Sequence, residues 1–150
     1  MRVIMAADHG GLVIKERIKK WMEEQGTVVM DVGAETMDKN DDFVDYAIKA
    51  MEKANFTDGD MVVMFCRNGV GMSIIANRYK KARCVLGFGA EQVKKARMDD
   101  DVNVLAVGAD YFSEAAVRAM VKNFLEEPFS GGERYRRRLS KLEVLGGIGK

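Results

Sequence analysis

The feature that most constrains the fold of this chain is a regular alternation of short apolar runs with segments of helical spacing. Each apolar run leads through a turn or loop into a segment whose apolar residues recur every three or four positions. The predicted strands are residues 2–7, 28–32, 61–66, 82–88 and 103–107. Because strands that alternate with helices form parallel sheets covered on both faces, the sequence predicts an α/β protein with a five-stranded parallel sheet.

We expect this sheet to form one domain. With 150 residues, of which 47% are hydrophobic, residues 1–150 suffice to bury a single core. The predicted helices are residues 12–24, 43–55, 72–79, 89–98, 113–126 and 133–145, the last of them basic. We expect residues 146–150 to form a frayed tail.

Charge and composition argue against several classes of protein. The 24 basic and 23 acidic residues almost cancel, so neither a nucleic-acid partner nor a membrane surface has electrostatic support. Cys66 and Cys84 show no metal-ligand spacing, which favours a reducing compartment over a disulfide scaffold. No apolar run is long enough to cross a bilayer, and the N-terminus has no signal-peptide pattern. The sequence thus predicts a soluble cytoplasmic protein.

The segment around Cys66 is the first candidate for a functional site. Cys66 ends a predicted strand, and Gly69 and Gly71 follow it before the next helix. Glycines permit a close backbone approach to a ligand, and the amides that open a helix are free to bind an anion. That anion is either a phosphate or an oxyanion formed during a reaction, and beside an oxyanion a thiol can act as base or nucleophile. The structural alternative is a buried strand-end cysteine.

Asp8 and His9 form the second candidate. They follow the first strand and precede two glycines, and His9 is the only histidine in the chain. Here His9 could bind a phosphate or polarise a hydroxyl group, and Asp8 could hold a sugar hydroxyl or orient His9. A satisfied structural histidine is the alternative. With one histidine and no carboxylate–histidine pair at helical spacing, zinc or iron would have too few ligands, so we expect no metal.

Charged residues in the C-terminal half complete the candidates. Arg134 and Arg138 are four residues apart on the last predicted helix, so both can reach one phosphate, although such a run can also be a solvated helix face. Asp99 and Asp100 either end a helix or supply a carboxylate. Ligands of parallel sheets bind beyond the carboxyl ends of the strands. We therefore expect the turns after the first and third strands to meet the Asp99 region in one crevice.

Taken in order, these motifs resemble those of the ribose-5-phosphate isomerase B family, which also contains the galactose-6-phosphate isomerase subunits. The resemblance extends over nearly the whole chain. The residues that carry it are Asp8-His9-Gly10, Cys66 with Gly69, Gly71, Ser73, Asn77 and Arg78, Asn103-Val104-Leu105, and Pro128 with Gly131, Gly132 and the arginines that follow.

The resemblance implies a Rossmann-like aldose–ketose isomerase that uses no metal or other cofactor. It also implies a sugar-phosphate substrate and a homodimer, or a tetramer, whose active sites are shared between subunits. In such an enzyme Cys66 moves a proton between two sugar carbons through an enediolate, and the backbone amides of residues 68–71 stabilise the charged oxygen. The candidate catalytic residues are Cys66, Asn68, Ser73 and Asp99, and the candidate substrate or phosphate contacts are Asp8, His9, Arg67, Gly69, Val70, Gly71, Asp100, Arg134 and Arg138.

Several positions depart from the family pattern. Arg67 and Asn68 stand where Gly and Thr usually follow the cysteine, Asp99-Asp100 stands where a ribose-type enzyme has His-Asn, and the Asp110 region replaces an arginine. The histidine missing at Asp99 is credited with opening the sugar ring. We therefore expect a tetrose, pentose or hexose phosphate other than ribose 5-phosphate, such as a short open-chain one. Asp99 could still act as an acid or base, which keeps ribose 5-phosphate open.

Two other classes of function stay open. A non-catalytic sugar-phosphate-binding protein, or one subunit of a hetero-oligomeric isomerase, would keep the glycines and arginines but would not need the thiol of Cys66. A flavodoxin-like or nucleotide-binding module shares the fold class. The chain has neither a Walker lysine after its glycines nor a full Gly-x-Gly-x-x-Gly motif, which argues against that module.

Overall fold

The structure, a computed structural model, describes residues 2–145 and contains five strands and six α-helices in that part of the chain. Strands and helices alternate as the sequence predicts. In chain order the elements are β1 (Val3–Ala7), α1 (Leu12–Glu24), β2 (Val29–Asp31), α2 (Phe43–Lys53), β3 (Met61–Cys66), α3 (Val70–Ala76), β4 (Cys84–Gly87), α4 (Ala90–Asp100), β5 (Val104–Gly108), α5 (Glu114–Glu126) and α6 (Glu133–Glu143). The predicted frayed tail, residues 146–150, lies outside the described residues.

The five strands form one sheet with the order β2-β1-β3-β5-β4, and every pairing is parallel. The chain leaves β1 towards one edge of the sheet and leaves β3 towards the other edge. The strand order therefore reverses between β1 and β3, and a crevice opens beyond their carboxyl ends. This is the place where open α/β sheets bind ligands, and Asp8 and Cys66 both lie there.

Helices cover both faces of the sheet, as predicted. One core layer joins β1, β3 and β5 to α1 and α5, where Phe65 and Phe124 are fully buried. The other layer joins the opposite face of these strands to α2 and α3, and it includes Met64, Met72 and Cys66. The thiol thus lies at the rim of the α2–α3 layer.

The predicted boundaries agree with the structure within three residues, and α4 extends two residues beyond its predicted end. Asp99 and Asp100 do not interrupt α4, which continues to Asp100 and ends where Asp101 takes a left-handed conformation at φ 47°. Ile74 does not pack on the sheet, because its side chain is 52% exposed on the outer side of α3. The two aspartates therefore form the end of α4, and the exposed Ile74 side chain leaves an apolar surface on α3.

A buried lysine fixes the exit from β2. The Lys15 side chain is fully buried in α1, and its ammonium donates to Asp31 Oδ2 at 2.6 Å and to the carbonyl of Ala34 at 2.9 Å. Lys19 donates to the same Asp31 oxygen at 3.1 Å. Burial alone would raise the pKa of Asp31, but hydrogen bonds from Lys15, the Gly33 amide and Lys19 outweigh it and lower the pKa. The loop after β2 therefore starts from a rigid anchor.

None of the helices within residues 2–145 is both long enough and apolar enough to span a lipid bilayer.

Candidate active site

Three neighbouring strands end side by side at the crevice. The register pairs Ala7 of β1 with Phe65 of β3, and Cys66 with Gly108 of β5. Asp8, the residue after β1, therefore lies beside Cys66, and Gly108 lies on the other side of Cys66. This juxtaposition follows from the parallel register and agrees with the expectation that the first and third turns meet.

The Cys66 thiol is buried and lies against the turn that follows it. The Gly69 amide donates to Cys66 Sγ at 3.1 Å, and Asn68 Oδ1 lies 4.0 Å from the same sulfur. Burial raises the pKa of the Cys66 thiol, the amides of the turn lower it, and the nearby carboxylate of Asp8 raises it further, with a net increase. The thiol is therefore protonated in the resting site, with an amide already placed to stabilise the thiolate.

The glycine turn leaves room for nothing larger than hydrogen at two positions. Gly69 has φ +75°, and a Cβ there would lie 2.9 Å from the backbone nitrogen of Gly108. A Cβ at Gly71 would lie 2.3 Å from the ring of Phe43, which packs directly over it. Gly69 is thus needed for its left-handed conformation and its close approach to β5, and Gly71 for its contact with Phe43.

Two amides of the turn are occupied, and others are open to a ligand. Val70 N–H donates to Asn68 Oδ1 at 3.0 Å, and Gly69 N–H is taken by the thiol. The Gly71 amide makes no hydrogen bond within residues 2–145. Ser73 lies one turn further along α3, where its hydroxyl donates to the carbonyl of Val70 at 2.8 Å. In this structure Ser73 thus bonds its own helix.

His9 is held by an aspartate that the sequence argument missed. Asp41 Oδ1 lies 2.5 Å from His9 Nδ1, and Asp41 Oδ2 accepts the backbone N–H of His9 at 2.9 Å. Asp8 Oδ1 accepts the Gly11 amide at 3.1 Å, and burial raises the pKa of Asp8 more than this bond lowers it. Asp41 lies in the long polar loop between β2 and α2, where no periodicity marks any single residue. Only its acidic character could have signalled it.

These residues are also the potential metal ligands of the site. Asp8, His9 and Asp41 bring three ligand atoms within 4.8 Å of one another. Asp41 already accepts the backbone N–H of His9 and lies within hydrogen-bond distance of His9 Nδ1, and Asp8 accepts the Gly11 amide. A cation would have to displace these bonds, so the geometry favours a hydrogen-bonded group over a metal centre.

Two departures from the family pattern contact each other at the mouth of the crevice. Arg67 Nε donates to Asp110 Oδ2 at 2.9 Å, and the Arg67 carbonyl accepts the Asp110 amide at 3.0 Å. The stem of Arg67 passes over Gly10, where a Cβ would lie 2.4 Å from Arg67 Cγ. The Arg67 side chain, 70% exposed, therefore joins the loops after β1, β3 and β5.

Asp99 and Asp100 do not join this crevice within one chain, which corrects the expectation made from the sequence. They end α4, which runs back from the carboxyl end of β4 to the level of the amino ends of the strands. There the next residue, Asp101, pairs with Arg83, directly before β4, at 2.7 Å. Asp99 itself receives a hydrogen bond from Lys95 at 3.3 Å, one turn earlier.

Arg134 and Arg138 share one face of α6, as their spacing predicts, and they too lie far from the Cys66 crevice. Their guanidinium groups lie 5.4 and 5.9 Å from the centre of the Tyr135 ring, and both side chains are exposed. The chain enters α6 beside the end of α4, where Ser130 N–H donates to the Met98 carbonyl at 3.0 Å. One chain thus carries two groups of candidate residues at opposite ends of the strands. Asp8, His9 and Cys66 lie at the carboxyl ends, which we name the thiol end, and Arg134 and Arg138 lie on the side of the amino ends, which we name the arginine end.

The fold places the thiol-bearing crevice at the switch point of a parallel sheet, where α/β proteins bind their ligands. Residues 3–142 match the Ribose/Galactose Isomerase family. The chain belongs to this family, and it is accordingly an enzyme of the aldose–ketose isomerase class.

Known relatives support this assignment over almost the full length. The chain is 34% identical over 142 residues to the Bacillus subtilis protein named "Putative sugar phosphate isomerase YwlF", covering 95% of each. It is 30% identical to ribose-5-phosphate isomerase B of Mycobacterium tuberculosis, covering 95% of this chain and 88% of that protein. The crystal structure of ribose-5-phosphate isomerase B from Mycoplasma genitalium with bound ribulose-5-phosphate has a TM-score of 0.90 at 29% identity, covering 95% and 93%.

Proposed function

We propose that this protein interconverts an aldose phosphate and a ketose phosphate by proton transfer at Cys66. The observation that carries the proposal is the thiol itself, which lies at the switch point between Asp8 and the glycine turn with the Gly69 amide 3.1 Å from its sulfur. A binding protein would not need a thiol there. The thiolate, formed when the thiol releases its proton to solvent, can act as a general base.

The chemistry assigns a role to each group of the turn. The thiolate of Cys66 removes the proton at C2 of the aldose, and the electron pair moves onto O1 to give an enediolate. The free amide of Gly71 donates to the developing negative charge on oxygen. The thiol then returns the proton to C1 as the hydroxyl proton passes between the two oxygens, and Asn68 and Ser73 assist this exchange. No electron donor or acceptor outside the substrate is required.

The substrate phosphate is assigned to the arginine pair of α6. Guanidinium groups bind phosphate through paired hydrogen bonds, and Arg134 and Arg138 lie on one helix face with exposed side chains. Both lie on the side of the amino ends of the strands, away from Cys66 and together with Asp99 and Asp100. A complete site therefore requires the arginine end of one copy to meet the thiol end of another. The functional unit that we propose is a homodimer or a tetramer of such dimers.

An exposed apolar cleft supports this assembly. It lies between α2 and α3, directly beside the crevice, and has a volume of about 360 Å³. Its lining includes Val44, Ile48 and Ile74, whose side chains are 38%, 37% and 52% exposed. Apolar side chains grouped at one surface favour burial against a partner, and this cleft borders Gly71 of the turn.

The departures from the family pattern bear on the choice of sugar. Arg67 adds a cation at the mouth of the crevice, next to Asp8 and His9. Asp99 occupies the position of a ring-opening histidine, and a carboxylate there is a weaker proton donor at neutral pH. We therefore propose a substrate other than ribose 5-phosphate, with an open-chain sugar phosphate as the leading class, and a cytoplasmic location for the reaction.

A substrate panel tests the proposal. Aldose and ketose phosphates of the tetrose, pentose and hexose series are incubated with the protein, and products are identified by NMR. The C66A variant should lose turnover while keeping ligand binding, and C84A should retain both. Turnover by C66A would refute the role of the thiol. A wide preference for ribose 5-phosphate would refute the altered substrate, and binding without turnover in the unmodified protein would favour a non-catalytic binding protein.

A further inference from the structure

The contact between His9 and Asp41 has the geometry of an oriented imidazole. Asp41 is nearly buried, with 8% of its side chain exposed, and its two oxygens bond the ring nitrogen Nδ1 at 2.5 Å and the backbone N–H of the same residue at 2.9 Å. The two bonds fix both the ring and the backbone of His9 against one carboxylate. A histidine that merely filled space would not need both.

The carboxylate decides which ring nitrogen carries the proton. An ionised carboxylate can only accept hydrogen bonds, so the proton of a neutral His9 ring must sit on Nδ1. The lone pair then belongs to Nε2. If the ring is protonated, the additional proton is on Nε2. In either state Nε2 is the ring nitrogen that Asp41 leaves available for another molecule.

The loop that carries Asp41 is held at both ends. At its start, the buried Lys15 ammonium donates to the Ala34 carbonyl at 2.9 Å, and the Ala34 amide donates to the Ala7 carbonyl of β1 at 2.8 Å. At its end, α2 begins at Phe43, whose ring packs over Gly71 of the catalytic turn. Asp41 is thus delivered to His9 from a fixed loop, between two elements of the site.

The ionisable groups around this pair come from four elements. Asp8 lies at the end of β1, Cys66 at the end of β3, and Arg67 reaches across from the loop after β3. Tyr46 faces Asp41 from α2, where burial and then the negative charge of Asp41 raise the pKa of its hydroxyl. None of these four side chains has a hydrogen bond to the His9 ring among the described residues; the group that bonds the ring is Asp41.

We propose that Asp41 is a positioning residue that keeps the His9 proton on Nδ1 and so directs Nε2 to an oxygen atom of the bound sugar phosphate. The proposal rests on the proposed function for the substrate contact, but the position of the proton is a property of the free protein. Asp41 itself need not touch the substrate. The loss of this contact should weaken substrate binding more than it slows turnover, because His9 is assigned no proton transfer at carbon.

NMR of the imidazole nitrogens tests the first half directly, because His9 is the only histidine and its signals need no assignment. In ¹⁵N-labelled protein with a neutral His9 ring, we expect the Nδ1–H tautomer. D41L should shift the ring towards Nε2–H, and D41N, which keeps an acceptor oxygen, should restore the original form. D42N is the matched control, since Asp42 is exposed and its side chain makes no capping bond to α2. An Nε2–H ring in the unmodified protein overturns the proposal.

Binding and kinetics test the second half. Addition of the best substrate of the panel to C66A should shift Nε2 and leave Nδ1 nearly unchanged. D41L should raise KM about tenfold with a smaller change in kcat, and D41N and D42N should remain near the unmodified protein. Substrate binding without a shift of Nε2, or an unchanged KM in D41L with an altered tautomer, overturns the substrate contact. If no sugar phosphate binds, the proposed function and this contact both fail, and the free-protein spectrum still decides the tautomer.

Discussion

At the scale of single residues, the pKa of the Cys66 thiol is set by influences that act in opposite directions. Burial raises its pKa, the amide of Gly69 lowers it, and the carboxylate of Asp8 raises it again. The site therefore holds its proposed base in the protonated state until the pH rises or the environment changes. A base that must first lose a proton gives an activity that increases with pH up to the raised pKa of the thiol.

Removal of the Asp8 charge should lower the pKa of Cys66. D8N removes a negative charge but keeps an oxygen that can accept the Gly11 amide, so the fold of the turn is preserved. We expect alkylation of Cys66 by iodoacetamide at neutral pH to become roughly two- to tenfold faster, with its pH midpoint moved to lower pH. The measurement uses a C84A background, although burial already raises the pKa of Cys84 to about 12. An unchanged or higher midpoint would contradict the assigned influence of Asp8.

The amount of the site that the sequence reveals also differs from residue to residue. Asp8, Cys66, Gly69 and Gly71 could be predicted because each follows a strand end, and the parallel register brings strand ends together. Asp41 could not, because it lies in a loop whose path depends on contacts with Lys15 and β1 that have no local pattern. The same limit applies to Lys15, which occupies an apolar face of α1 and is buried only because Asp31 and Ala34 meet it there.

The glycine turn between β3 and α3 is the element on which the thiol depends. G69A forces a left-handed residue to carry a side chain and places its Cβ 2.7 Å from Leu86 and 2.9 Å from the Gly108 backbone nitrogen. G59A is the matched control, since Gly59 has φ +79° and no atom within 4 Å of the added Cβ. Both variants should pay the left-handed cost of about 1–2 kcal/mol. In urea unfolding G69A should lose at least about 1 kcal/mol more, from the added contact; equal losses would show that the turn can relax.

The anchor between α1 and β2 makes a second prediction at this scale. K15M leaves the buried Ala34 carbonyl without its donor and removes the closest cation from Asp31, so the free energy of unfolding should fall by about 3–5 kcal/mol. K19M removes a more exposed partner of the same carboxylate, and its cost should stay below about 1 kcal/mol. Urea unfolding at neutral pH measures both. Similar losses in the two variants would mean that Lys15 is not the dominant partner.

The same anchor should weaken in acid. The folded pKa of Asp31 is lowered, so its contribution to stability is complete above its unfolded value of about 3.9 and is lost as the pH falls through the lower folded value. The free energy of unfolding, measured by urea titration at several pH values, should therefore decrease below about pH 4. D31N should show a shallower decrease over that range. A decrease of equal steepness in D31N would assign the acid sensitivity to other carboxylates.

Helices and strands were largely predictable because their apolar spacing is local, whereas their ends were less so. The end of α4 illustrates the reason. Three consecutive aspartates suggest an interruption, but α4 keeps its backbone bonds to Asp100, and Asp101 alone leaves it, held by Arg83 and Arg97 at 2.7 and 2.9 Å. Asn77, which carries part of the family resemblance, donates to the Cys84 carbonyl and accepts the Cys84 amide. Asn103, which carries another part, donates to the Lys81 carbonyl and accepts the Arg83 amide. Their role in this structure is to hold the loop before β4.

At the scale of the whole molecule, the candidate residues lie in two groups at opposite ends of the strands. The thiol end carries Asp8, His9 and Cys66, and the arginine end carries Arg134 and Arg138. The family resemblance implies that both groups belong to one site shared between subunits, and the topology of a single chain keeps them apart. The assembly of two copies that we propose would bring the two groups together, with the apolar cleft between α2 and α3 as the proposed contact surface.

The central claim is a site built from the thiol end of one copy and the arginine end of another, and mixed dimers test it most directly. One copy carries C66A and the other carries R134A with R138A, and two different tags allow the mixed dimer to be purified. Each parent protein should be inactive on the best sugar phosphate of the panel. The mixed dimer should regain roughly half of the unmodified activity, because one of its two sites combines an intact thiol end with an intact arginine end. A mixed dimer no more active than its parents would contradict the shared site, and full activity in the arginine variant would contradict the phosphate assignment.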